Sequence, residues 1–269
     1  MITREPFEYP ENASRLECLV LAARESMADT GRAVLLGVRA IRMLPDLRRP
    51  KARAEFMRQM YICGIESLPV ITVVALFTGM ILAFQTGIEL RRYNQEVYIG
   101  SAVMVSMLRE MAPFITGLIL GACVGSAMAA QLGTMTVNDE IAALEIMSID
   151  PVRFLVTPRM AAMMIMTPIL SFYTCMLGTL GGGVIGTTQL NVPWAQYMSN
   201  AMEFARAKEL FVGLVKALIY GIIITTISCN EGLTATQGAV GVGQATRRAV
   251  IISFLLVLIV GYFVTRFFY

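Results

Sequence analysis

MLREMAPFITGLILGACVGSAMAAQLGTMTVNDEIAALEIMSIDPVRFLVTPR, from Met107 to Arg159, is the stretch that decides the fold. Its first half is apolar and paced by small residues at every fourth position: Gly117, Gly121, Gly125, Ala129 and Gly133. On a helix this spacing puts them on one face, where a neighbouring backbone can come close. The second half turns polar within a few residues. Thr136 followed by Asp139 fits the start of a capped helix, and Val137, Ile141 and Leu144 then recur at helical spacing. Asp139, Glu140 and Glu145 make this short helix acidic, and the Asp150–Pro151 step ends it. The spacing predicts a membrane helix, then a short polar helix over 136–147, then a return to apolar sequence.

The composition supports a membrane reading for the whole chain. Of 269 residues 56% are hydrophobic and only 15% charged, with a mean hydropathy of +0.65. A soluble domain carries closer to about a quarter charged residues. A net charge of +3 is too small to argue for a nucleic-acid partner. Cys18, Cys63, Cys123, Cys175 and Cys229 form no C-x-x-C, and most stand in apolar surroundings, which suits small buried residues rather than disulfides or a metal site. The sequence has no His, so it lacks the commonest general base and metal ligand. It also has no G-x-x-x-x-G-K-[S/T] phosphate loop; any ATP hydrolysis belongs to another chain.

Residues 1–66 read as a cytoplasmic or interfacial helical region, and residues 67–269 as the membrane domain. In the first region Leu16, Val20, Ala23, Met27, Val34, Val38 and Ile41 share one helical face. Arg15, Arg24, Arg32, Arg39 and Arg42 interleave with acidic residues elsewhere. That pattern predicts an amphipathic helix lying in the membrane interface. Half of the 22 Lys and Arg precede residue 67, which places the N-terminus in the cytoplasm by the positive-inside rule. Five spans are expected at about 67–88, 97–133, 160–186, 210–228 and 249–268, each near the roughly 20 residues a bilayer requires. The expected fold is therefore all-α, with five transmembrane helices, the interfacial helix and the short cytoplasmic helix.

Ionisable residues inside spans are costly and become candidates for function. Glu110, beside Arg109 and just ahead of Pro113, lies in the second span; Lys216 lies in the fourth. Two readings stay open: they face a cavity and meet the polar head of an amphiphile, or they pair to hold helices together. The glycine rows Gly117/Gly121/Gly125 and Gly178/Gly182/Gly186 are expected to serve close helix packing.

Several of these blocks resemble one family. LREMAP (108–113), GSAMAAQLGTM (125–135), EIAALEIMSIDPVRFLVTPR (140–159) and GVGQATRRAVI (241–251) are similar to the MlaE/YrbE-type permease, the membrane subunit of ABC transporters that work with MCE-domain lipid-binding proteins. The likeness runs from about Pro69 to the C-terminus. It implies a homodimer flanked by two ABC ATPase subunits on the cytoplasmic side and an MCE assembly on the other, moving phospholipid or a similar hydrophobic cargo at a bacterial inner membrane. No cofactor is implied for this chain; ATP and Mg are expected in the partner ATPase. Glu110 and Lys216 match positions that line the family's lipid cavity; Arg109 is a further substrate-binding candidate, or a structural partner of Glu110. The acidic helix matches the coupling helix: Asp139, Glu140, Glu145 and Asp150, with Pro151 and Arg153, would meet the ATPase while Ile141 and Leu144 fill its groove. One departure stands out. The family usually has Arg where Cys123 stands and Glu where Gln131 stands, which suggests the matched loss of a structural ion pair. The alternatives from other classes are an ATP-independent carrier or channel using Glu110, and a membrane scaffold without a cargo pathway.

Overall fold

The computed structural model describes residues 15–45 and 50–269, including the side chains of 29–45 and 52–269. Leu16, Val20, Ala23 and Met27, with Arg15 and Arg24, fall outside the described side chains. Among the described residues every regular element is helical. The chain runs through α1 (Arg15–Arg42), α2 (Pro50–Gly64), α3 (Leu68–Arg92), α4 (Ile99–Ser106), α5 (Ala112–Leu120), α6 (Ser126–Val137), α7 (Glu140–Ile146), α8 (Thr157–Thr188), α9 (Trp194–Glu203), α10 (Ala207–Leu233) and α11 (Gly238–Phe268). Helices α4, α5 and α6 form one long span joined by two π-helical turns, Met107–Met111 and Gly121–Gly125. A third such turn, Val152–Val156, leads into α8.

Among the described residues five helical stretches are long and apolar enough to cross a membrane: Ala52–Arg92, Glu96–Val137, Val152–Thr188, Ala207–Leu233 and Gly238–Phe268. They correspond to the five expected spans, with longer ends. The largest correction concerns the loop expected over 230–248. Helix α10 continues to Leu233 and α11 begins at Gly238, so only four residues connect them. The reversal takes place at Gln237 and Gly238, both with positive φ (67° and 66°). Polar residues such as Gln244, Arg247 and Arg248 therefore belong to a helix, extending the fifth span beyond its apolar core.

Contacts divide the chain into two units. One holds the residues up to Met57 with Gly125–Ala161 and Ile224–Ser253. The other holds Arg58–Val124, Ala162–Ile223 and Phe254–Tyr269. In the second unit α3 and α8 meet backbone to backbone: a Cβ on Gly79 would lie 1.8 Å from the Gly178 carbonyl oxygen, so only glycine fits there. Helix α9 packs on α4 through Tyr197, which is fully buried and whose hydroxyl donates to the Thr179 carbonyl at 2.9 Å. Burial pushes the ionisation of that phenol upward, so it stays a donor. Gly182 and Gly186 lie against the same tyrosine and Gly117 against Tyr220, so these members of the glycine rows serve packing within the chain. Gly121 and Gly125 bound a π turn and are buried.

In the first unit α1 packs on the turn at Val152–Val156, burying Ala33, Leu36, Gly37 and Ala40. Gly37 lies against α10, where a Cβ would come 2.9 Å from Thr226 Oγ1. The opposite side of α1 leaves Val34, Leu35, Val38 and Ile41 exposed. The short acidic helix is shorter than expected. Thr136 does not cap it: Thr136 sits in the last turn of α6, and its hydroxyl donates to the carbonyls of Leu132 and Gly232 (2.8 and 3.2 Å). Helix α7 instead starts at Glu140, behind Asp139 in the left-handed conformation (φ 58°). The Thr136 hydroxyl is taken by carbonyls on its own helix and on a neighbouring one, so it does not cap α7.

Candidate functional site: a buried charge cluster and an acidic helix

The π turn at Met107–Met111 sets up the charge cluster. In a regular helix the Arg109 carbonyl would accept from the amide of residue 113, but Pro113 has no N–H to give. The Ala112 amide reaches back five residues to Met107 instead. The orphaned Arg109 carbonyl accepts from Lys216 Nζ at 3.0 Å. A lysine in the next-to-last span thus satisfies a backbone group that the proline sets free, as apolar surroundings demand.

Lys216 has two further protons to offer. Its ammonium also donates to Glu110 Oε1 at 2.6 Å and to Thr265 Oγ1 at 2.7 Å. The Thr265 hydroxyl is 2.7 Å from Glu110 Oε1 and 2.8 Å from the Gly261 carbonyl as acceptors for its single proton. All three donors of Lys216 are used and its side chain is completely buried, whereas that of Glu110 is 37% exposed. Lys216 pairs with Glu110 and anchors it; the pairing does not exclude a contact between Glu110 and an amphiphile. Only Glu110 retains an accessible edge.

Arg109 does not pair with its neighbour Glu110. Pointing the other way, its Nε and Nη2 each donate to Glu209 at 3.0 Å, a fork-on-carboxylate geometry. The Tyr269 ring lies 4.0 Å from the guanidinium carbon, and the Tyr269 hydroxyl donates to Glu209. Two adjacent residues on α4–α5 therefore hold two ion pairs, one with Lys216 and one with Glu209. Sequence reasoning missed Glu209, Thr265 and Tyr269. Glu209 lies seven residues before Lys216, two turns along the same face of α10, and Thr265 and Tyr269 are four apart. Helical spacing was the available signal, but it does not say which helices face one another.

The Gln131 position also differs from expectation. Gln131 Oε1 accepts from Arg159 Nη2 at 3.3 Å, and Arg159 Nη1 donates to the Leu155 carbonyl at 2.7 Å. The cation facing residue 131 is thus Arg159 on α8, which remains in this chain. In this chain residue 131 meets Arg159 through a neutral amide. It leaves a buried guanidinium held by neutral acceptors, with its Nε unpartnered.

On the acidic helix, Glu140 and Glu145 are exposed, Leu144 is half-buried and Asp139 is exposed. Ile141 is buried within its own chain, so it is not the side chain offered to a partner groove. Ile146 and Met147, at 84% and 61% exposure, are the apolar groups presented at the helix end. Asp150 does not stand free: one oxygen accepts from the Val152 amide at 3.0 Å and the other from Arg39 Nη2 at 2.7 Å. Pro151 is buried and Arg153 half-buried beside it. Among the described residues no group of His, Cys, Asp and Glu could hold a metal ion.

The profile described as Permease MlaE matches residues 56–267. A probable ABC transporter permease of Rickettsia typhi is 36% identical over 220 residues, covering 82% of this chain and 85% of that protein. The intermembrane phospholipid transport system permease protein MlaE of Haemophilus influenzae is 31% identical over 216 residues, covering 78% and 82%. The chloroplastic protein TRIGALACTOSYLDIACYLGLYCEROL 1 of Arabidopsis thaliana is 30% identical over 213 residues, 79% of this chain and 61% of that one. With five apolar spans and the acidic helix between the second and third, this chain is a multi-pass membrane protein that belongs to the MlaE family of ABC transporter permeases.

Proposed function

We propose that this chain is the permease half of a transporter that moves phospholipid, or a molecule of similar amphiphilic build, between membranes. A separate ATPase drives it, and an MCE-domain assembly takes up or delivers the cargo. The observation that carries the proposal is the family match over nearly all of the membrane domain, together with an acidic helix whose apolar end is left uncovered. Helix α7 docks on the ATPase through Glu140 and Glu145, with Ile146 and Met147 entering its groove. The chain needs no cofactor of its own; ATP and Mg bind the partner.

A homodimer with two ATPase subunits suits the exposed helices. The most apolar windows of the first and fifth spans are 28% and 17% buried, against 50% for the other three, so their outer faces are available to lipid and to a second copy. In the cargo path the contact with a polar head falls to Glu110 and Arg109, whose side chains are about a third exposed, while Lys216 fixes Glu110 in place. The exposed Val34, Leu35, Val38 and Ile41 lie in the cytoplasmic lipid interface, with the N-terminus inside. The membrane is the bacterial inner membrane.

Pull-down of the tagged protein from detergent tests the proposal. An ATPase should co-purify with phospholipid, and Glu140→Lys with Glu145→Lys should release it or abolish its stimulated ATP turnover. Absence of any nucleotide-binding subunit would sink the transporter reading and favour an ATP-independent carrier.

A further inference from the structure

Asp150 and Arg39 join two elements whose proposed environments differ. Helix α1 leaves an apolar strip, Val34, Leu35, Val38 and Ile41, for the membrane interface. Its other side is seated on the turn that follows the acidic helix, with Gly37 against Thr226. Asp150 stands four residues beyond the end of α7 and works in two directions. Its Oδ1 accepts from the Val152 amide, fixing the start of the third span. Its Oδ2 accepts from Arg39 Nη2 at 2.7 Å. The Arg39 and Asp150 side chains are 55% and 26% exposed, so the pair adds little to overall stability and can be removed without unfolding the chain.

We propose that Arg39 and Asp150 are positioning residues that brace the coupling helix on the interfacial helix. When the ATPase moves α7, the brace makes the start of the third span follow rather than letting the short helix swivel on its exit. Asp150 is then an internal link rather than an ATPase contact, and α1 is a strut as well as an anchor. The inference rests on the proposed coupling role of α7.

The test uses the complete complex reconstituted in phospholipid vesicles, measuring ATP turnover and fluorescent phospholipid transferred per ATP. Asp150→Asn retains an oxygen for the Val152 amide and removes the charge facing Arg39; Arg39→Glu reverses the other partner. Each should keep the ATPase bound while lipid moved per ATP falls at least about three-fold. Arg39→Lys keeps a cation facing Asp150 and leaves the Val152 amide its acceptor, so it should hold most of the native ratio, which loss of fold would not allow. Unchanged transfer per ATP in both Asp150→Asn and Arg39→Glu would overturn the brace, as would an Arg39→Lys variant no better than Arg39→Glu. If the native chain itself binds no ATPase, the coupling reading fails first, and the two failures are told apart by that control.

Discussion

Two buried cations, Lys216 and Arg159, sit in the two units of the molecule and are treated in opposite ways. Lys216 has a carboxylate, a hydroxyl and a freed backbone carbonyl around one ammonium, so its charge is neutralised and every proton is used. Among the described residues Arg159 has a backbone carbonyl and the amide of Gln131, and its Nε finds no partner there. Burying an ion is tolerable when an opposite charge and hydrogen bonds replace its water, and expensive otherwise. The difference teaches that the Lys216 cluster is a finished structural joint, while Arg159 marks a place where this sequence gives up stability. A charge at residue 131 would be used at once by a cation already in position.

Removing Lys216 should break the comparison most forcefully. Lys216→Met leaves Glu110 without its counter-charge and the Arg109 carbonyl without a donor, and should cost about 3 kcal/mol, seen as a fall of roughly 10 °C in the thermal midpoint in detergent. Adding Glu110→Leu to that variant should recover about half of the loss, since no isolated carboxylate then remains. No recovery would mean that the proline-freed carbonyl, rather than the ion pair, dominates. In the other unit, Gln131→Glu should raise stability by about 1 kcal/mol, a midpoint shift of about 3 °C. A drop instead would show that Arg159 is already balanced by another group. The smallest effect belongs to Thr265→Val, which removes a relay between Lys216 and Glu110 but leaves their direct contact. It should cost about 1 kcal/mol, with lipid transfer retained.

The glycine rows and the acidic helix illustrate how far residue patterns reach. Four-residue spacing announced tight helix packing, and Gly79 and Gly178 do bring two backbones together. The spacing was silent on which helix each row would meet, because a helical face records only that something is close. The acidic helix was likewise visible from its charges, yet its start moved from Thr136 to Glu140. The Thr136 hydroxyl reaches the Gly232 carbonyl on a helix almost a hundred residues away, a choice invisible to a local pattern.

By itself the sequence determined the all-helical membrane fold, the five spans, the lack of a phosphate-binding loop and the family. These follow from hydropathy, spacing and motif, which are properties of contiguous residues. Only the tertiary structure decided the partners. It sent Arg109 to Glu209 rather than to Glu110 beside it, used up Lys216 on its own chain, turned Ile141 inward and Ile146 outward, and tied Asp150 to Arg39. The physical reason is that a buried charge must find its counter-charge wherever packing brings one within about 3 Å, and that distance is set by helices far apart in the chain.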